Sequence, residues 1–336
     1  MDFRLTEEQR EFELLARRVA EDLAQQHRTD DSSPPDVNWS LLVDTGLMGL
    51  LVANGDGGSG GGMVEAAIFA EQLGRVAAPS AIAGSVLIAP AAIDLVESAT
   101  QRQQLRSELV SGRPMSVVVG EDLSWPPGPD GFAWGWHRDA AMLAPDASGL
   151  APIDVAEADV RPTEDLGLFV AHITTTVASP NLMESEGGQR FITVANVIMS
   201  SLLVGYMRTA LDLAVEHAKQ REQFGVKIGT FQAIKHICAD MLVDLESSRS
   251  AAYGAAAIAS NASDVRGASR TAATAKAWCG DAGVRVCENS IQVHGGMGFT
   301  WECPVHRFLR AALVARSSFM SSDCAVDLLA RSAPWT

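Results

Sequence analysis

Residues 191–219 are apolar on several sides at once, and a helix of that kind holds together only when other elements surround it. The chain supplies those elements itself. Phe231, Ile234, Cys238, Met241 and Leu245 lay a one-sided apolar stripe along the next run, and residues 272–293 and 305–330 extend two more. Four long helices of this character pack as an antiparallel bundle, so residues 186–336 are expected to form a C-terminal four-helix bundle.

The first third of the chain is helical as well. Thr6 to Gln9 reads as a capping box, and Phe12, Leu15, Val19 and Leu23 follow at one-face spacing. Further helices are expected over 39–52, 63–76 and the Ala-rich 80–109, which gives an N-terminal helical domain over residues 1–111. Residues 54–62 are Gly-rich, but no Gly-Lys-Ser/Thr follows and no strand precedes a helix there, so they read as a flexible connection rather than a phosphate loop. Across 112–185 Pro, Gly, Asp, Trp and Thr become frequent, and 115–119 and 168–177 have β-branched, strand-like composition. The expected fold class is mainly α with a small middle β domain.

Bulk properties exclude several functions. A formal charge of −15 repels nucleic acid and anionic membrane, so any phosphate must be met by a few local groups. The five cysteines, Cys238, Cys279, Cys287, Cys303 and Cys324, have neither paired nor zinc-ligand spacing, and no metal is expected. The chain enters a charged amphipathic helix directly, with no signal peptide and no apolar run long enough to span a bilayer. A cytoplasmic location is expected.

Two short stretches carry chemistry. Arg221-Glu222-Gln223-Phe224-Gly225, with Phe231-Gln232 behind it, places a five-donor guanidinium beside an aromatic ring and a side-chain amide. Gln292-Val293-His294-Gly295-Gly296-Met297-Gly298 puts glycines after a helical run, where backbone amides can approach an anion. Taken singly, a Gly-Gly-x-Gly is more often a helix terminus and an Arg near a Phe a solvated pair. Their joint occurrence, in this order and between helices, points to a nucleotide.

On these motifs, and on the run from Phe69 to Pro79 in the N-terminal part, the chain resembles the acyl-CoA dehydrogenases. The resemblance implies FAD lying in a groove shared by two subunits, with its adenosine and pyrophosphate end on these motifs. Arg221 would then meet pyrophosphate and Phe224 adenine. Gln232 and Gln292 would supply amide contacts, and Gly295 and Gly296, beside Val293 and His294, close backbone approach.

The other half of the family's site is missing. Ordinary members carry a Thr-Glu-Pro-x-x-Gly-Ser-Asp loop and a Trp-Ile-Thr/Ser-Asn strand beside the flavin ring, and no such runs exist between 110 and 185. The glutamate base of most relatives aligns, counting from Arg310-Ala311-Ala312, with Phe319; the base of a minority branch, counting back from Arg221, aligns with Ala195. Asp323, Asp327, Glu302 and Glu216 could stand in, but exposed helical carboxylates are ordinary solubilising charges. His294, His306 and His236 lack ligand spacing, and Trp125, Trp134 and Trp136 are expected to pack rather than line a pocket.

No catalytic residue is therefore expected in this chain. The resemblance implies the shorter, non-catalytic subunit of an actinobacterial α2β2 steroid acyl-CoA dehydrogenase, inactive when isolated. It would share FAD with a larger catalytic subunit that binds most of the acyl-CoA. The alternatives are a homo-oligomer with a non-standard base and a flavin-free scaffold.

Overall fold

The computed structural model describes residues 5–25, 36–127, 130–146, 149–153, 171–174, 182, 184–260 and 263–332. Helices come first. α1 (Glu7–Gln25) opens on the expected capping box, in which Thr6 N donates to Gln9 Oε1 at 3.1 Å and Gln9 N to Thr6 Oγ1 at 3.2 Å. Gln9 also donates to Glu65, which in turn caps α3 (Met63–Arg75) by accepting from Gly62 N. α2 (Trp39–Asp44) stops earlier than its apolar pattern suggests, the chain continuing in turns that bury Leu47, Met48, Leu50 and Val52.

The Gly-rich stretch 54–62 is compact rather than a loose connection. A Cβ on Gly58 would stand 2.2 Å from Val52 O, and Gly57 and Gly60 take positive φ, so the glycines let the turn fold back on itself. Beyond it the expected single helical run over 80–109 is broken into α4 (Ser80–Ala83), a π-helical turn (Gly84–Ile88), α5 (Ala89–Ile93) and α6 (Ala99–Val110).

Five strands form one sheet in the order β4-β3-β1-β2-β5. They are β1 (Met115–Gly120), β2 (Asp130–Trp134), β3 (Ala141–Pro145), β4 (Leu150–Ile153) and β5 (Ala171–Thr174). β1 pairs parallel to β3, with Val117 opposite Leu143, and antiparallel to β2, with Val117 opposite Trp134. Its alternation divides it cleanly. Met115, Val117 and Val119 join the main core, whereas Val118 packs with Ala133, Met142 and Ala144 in a second cluster. Ser85 Oγ donates to Met115 O and accepts from Met115 N, which pins β1 to the helices. The expected strand over 168–177 appears as β5; its flanks lie outside the described residues.

α7 (Glu186–Gln220), α8 (Gln232–Ser260) and α9 (Val265–His294) follow. α7 is long and apolar enough to cross a bilayer, against the sequence expectation, and 89% of that apolar stretch is buried inside the protein. It is the axis of the bundle. α3 crosses it at contact distance, since a Cβ on Gly205 would lie 2.2 Å from Glu71 O and one on Gly74 2.3 Å from Leu202 O. The expected fourth helix over 305–330 is two, α10 (Val305–Ser317) and α11 (Ser322–Ser332).

One buried charge network ties the N-terminal helices to the bundle. Glu71 on α3 accepts from Tyr253 OH at 2.7 Å and from Arg249 Nε at 3.2 Å, both on α8, and Arg249 Nη2 reaches Glu13 on α1 at 3.3 Å. Burial, and then the Glu71 charge, push the Tyr253 phenol far up, so it stays a donor.

Candidate functional site

α7 ends where Arg221 leaves the helical region, its N–H still bonded to His217 O at 2.8 Å. A two-stranded hairpin follows, β6 (Glu222–Gln223) and β7 (Val226–Lys227), with Glu222 opposite Lys227. Lys227 Nζ staples it, bonding Glu222 Oε1 at 2.7 Å and Gln220 O at 3.0 Å. The turn is made by Phe224 at φ 54° and Gly225 at φ 78°, the pairing that two-residue hairpins normally fill with Asn-Gly.

A phenylalanine there has no folding rationale. Left-handed backbone costs a residue with a side chain about 1–2 kcal/mol, and the ring regains little because it is 93% exposed, meeting only Phe231 edge-on at 6.2 Å. Strain of that kind, not repaid by packing, is a feature that clusters at ligand-binding sites. Gln232 follows Phe231 as the first, exposed residue of α8.

The second motif closes α9 at the same end of the bundle. Gly295 takes φ 63° and begins a 3-10 turn (Gly295–Phe299). No atom lies within 4 Å of where a Cβ would stand on Gly225, Gly295 or Gly296, so the backbone there faces open space. His294 stacks on His217 with ring centroids 4.4 Å apart and planes at 24°, joining the two helix ends. Gln292, Gly295 and Gly296 are exposed; Val293 is not. Its side chain is 4% exposed and belongs to the core, which leaves its backbone as the part that faces the motif.

Arg221, Phe224, Gln232, Gln292, His294, Gly295 and Gly296 thus gather at one end of the bundle. Among the described residues no carboxylate pairs with the exposed Arg221 guanidinium. One free cation, two side-chain amides, an imidazole pair, an outward ring and uncovered glycine backbone make a donor set that fits the pyrophosphate and adenine of a dinucleotide. Sequence reasoning passed over His217, although its place one helical turn before Arg221 was a usable signal.

The place where the family's base would stand looks quite different. Phe319 occupies the break between α10 and α11 at φ 64° and is 1% exposed. Its N–H donates to Leu123 O at 2.7 Å and its carbonyl accepts from Trp125 N at 2.9 Å, a lone bridge that fixes the break to the β segment. Trp134 lies 5.2 Å and Phe191 5.8 Å from its ring, and Trp125 lies 4.5 Å from Phe191. Trp134 Nε1 donates to Ser318 Oγ at 3.0 Å, and the buried Lys276 Nζ donates to the carbonyls of Ala315 and Ser318.

Ala195, the other aligned position, is fully buried. Beside Trp134, Met199 and Tyr206 a void of about 10 Å³ remains, room for one water. A cleft of about 220 Å³ lies nearer the surface, lined by Met63, Asp94, Arg190, Phe191, Thr193 and Val265 among others. Its acid, Asp94, is held by Arg106. The four stand-in acids do not converge on Phe319: Glu216, Glu302, Asp323 and Asp327 are all exposed, and Arg316 pairs with Asp323. Trp125 and Trp134 pack as expected, with Trp136 against the second cluster.

Residues 6–113 match the family model for the acyl-CoA dehydrogenase N-terminal domain and residues 189–333 the one for its C-terminal domain, so the chain belongs to the acyl-CoA dehydrogenase family. Acyl-CoA dehydrogenase FadE34 of Mycobacterium tuberculosis is 33% identical to it over 282 residues, which are 81% of this chain and only 38% of that relative's length. A chain of the ChsE4-ChsE5 complex from Mycobacterium tuberculosis superposes with a TM-score of 0.85 at 25% identity, each covered over 100% of its length. A chain of the Tcur3481-Tcur3483 steroid ACAD, a G363A variant, gives 0.78 at 23% identity, each covered over 97%.

Proposed function

We propose that this chain is the non-catalytic subunit of an FAD-dependent α2β2 acyl-CoA dehydrogenase, holding the adenosine and pyrophosphate end of a flavin whose reactive ring sits on a larger partner. One observation carries the reading: an open nucleotide half-site coexists with a base position filled by the Phe319, Trp125, Trp134 and Phe191 rings. The similarity to chains of two-component complexes supports a partner of the same family, and the steroid ACAD supports a bulky, steroid-derived acyl-CoA as substrate.

When bound, FAD supplies a hydride acceptor for the β carbon of the thioester. This chain does the holding. Arg221 grips pyrophosphate with paired N–H donors, Phe224 offers its face to adenine, and Gln232 and Gln292 supply amides. Gly295 and Gly296 let backbone N–H groups approach the phosphates without a Cβ in the way. The proton from the α carbon goes to a carboxylate of the partner, since no buried carboxylate faces the Phe319 cluster among the described residues.

Co-expression with the adjacent reading frame, followed by a flavin-to-protein ratio and native mass, tests this. The complex is expected to carry FAD, the isolated chain little or none. Arg221→Ala is expected to weaken flavin retention in the complex about tenfold or more, because phosphate contacts to a charged group contribute about 1.5–3 kcal/mol. An isolated chain that purifies yellow and forms 2-enoyl-CoA would overturn the reading. Unchanged flavin content in Arg221→Ala would instead favour a flavin-free scaffold.

A further inference from the structure

The two motifs meet through a pair of imidazoles that the half-site does not require for reach. His217 comes from α7 and His294 from α9, stacked at 4.4 Å with Arg221 one turn from His217. His294 Nδ1 donates its N–H to Ser290 O at 2.7 Å, which anchors that ring to its own helix.

The groups facing it can be named element by element. Arg221, just past the end of α7, and His294 on α9 act on His217, while Glu216 on α7 accepts from Gln220. On the hairpin, Lys227 is held by Glu222 and the Gln220 carbonyl. From α10, His306 turns to Cys303 O and to the edge of Trp301. Burial, then His294 and then Arg221, hold the His217 imidazole below its usual range, so His217 gives up its proton more readily than a free imidazole.

We propose that His217 and His294 are positioning residues that couple nucleotide binding at this site to proton uptake, clamping the ends of α7 and α9 around an anionic diphosphate. The inference rests on the half-site reading above. A diphosphate against Arg221 offsets that guanidinium's share of the field on His217 and adds an anion beside the ring, His217 takes up a proton, and the extra cation strengthens the grip. The sign follows. A group whose pKa rises on binding makes binding tighter below that pKa and weaker above it, so affinity falls as pH rises through the imidazole range.

The test uses the complex with its partner, stripped of flavin and titrated with FAD, reading flavin fluorescence between about pH 5.5 and 8.5. Wild-type affinity is expected to fall as pH rises across this range, by about three- to tenfold for a pKa rise of one on binding. His217→Phe keeps a ring stacked on His294 without a titrating nitrogen. Its profile is expected to be flat, with affinity near the wild-type value at high pH. An equal slope in wild type and His217→Phe overturns the inference, as does a flat wild-type profile in a complex that Arg221→Ala still strips of flavin. Flavin retention unaffected by Arg221→Ala overturns the half-site itself. Calorimetry of the unmutated complex in two buffers of different ionisation heat counts the same proton independently. Net uptake on binding supports the coupling, and none overturns it.

Discussion

Between about pH 7 and 9 this chain is expected to gain about 2–3 kcal/mol of stability relative to its Lys276→Met variant, the share that Lys276 itself contributes. Lys276 is 0% exposed, and its Nζ donates to the carbonyls of Ala315 and Ser318 with no carboxylate among its hydrogen-bond partners. Burial is the main cause that pulls its pKa down to about 7; Cys279 opposes this and Arg316 adds to it. Below that value folded and unfolded chains both carry the proton, and the folded state bears the whole cost of a buried charge. Above it the folded chain has shed a proton that the unfolded chain keeps, so each rise in pH favours folding.

The window closes near pH 9 for a separate reason. Burial pushes the Cys279 thiol up to about 12 and Cys287 higher still, so beyond the ordinary thiol range the unfolded chain ionises first and stability falls again. Guanidinium midpoints of wild type and Lys276→Met at pH 7 and pH 9 make the measurement. Methionine fills the volume but leaves two carbonyls without donors, which costs about 1–3 kcal/mol for each group stranded, so the variant is expected to fall furthest behind at pH 9. Parallel pH profiles in the two proteins would refute the assignment.

Arg249→Met is expected to cost about 3–5 kcal/mol, because it strands the Glu71 carboxylate, whose side chain is 3% exposed, with Tyr253 as its remaining partner. It also releases Glu13, loosening α1. The double variant Glu71→Leu with Arg249→Met removes both charges and is expected to recover most of the loss, since a well-packed apolar pair is often no worse than a buried ion pair. A single-variant cost below about 1 kcal/mol in urea unfolding would show that Arg249 is too solvated to matter.

Where the sequence carried a period, the architecture could be read from it. The stripe through Met241 and Leu245 and the all-round apolar α7 both placed the bundle, and Met115 to Val119 placed the central strand. Departures from those readings follow from features that leave no periodic trace. A helix break produced by Phe319 at φ 64° looks, in sequence, like more helix. Residues 54–62 looked loose because glycines also serve tight turns, and only the approach of Gly58 to Val52 reveals which. Motif membership likewise does not distinguish outward from inward side chains: Gln292 is exposed, whereas helical rotation turns the Val293 side chain into the core. His217 lay outside the motif altogether, its partner arriving from another helix.

The interlocked rings around Phe319 also limit how this part of the chain could change. Each of the four aromatics leans on another, and the Phe319 backbone is bonded to Leu123 and Trp125, so emptying the space demands several coordinated replacements. Any intermediate would carry a hole or a stranded charge. On the function proposed above, a carboxylate could stand here again only if the surrounding rings were replaced alongside it.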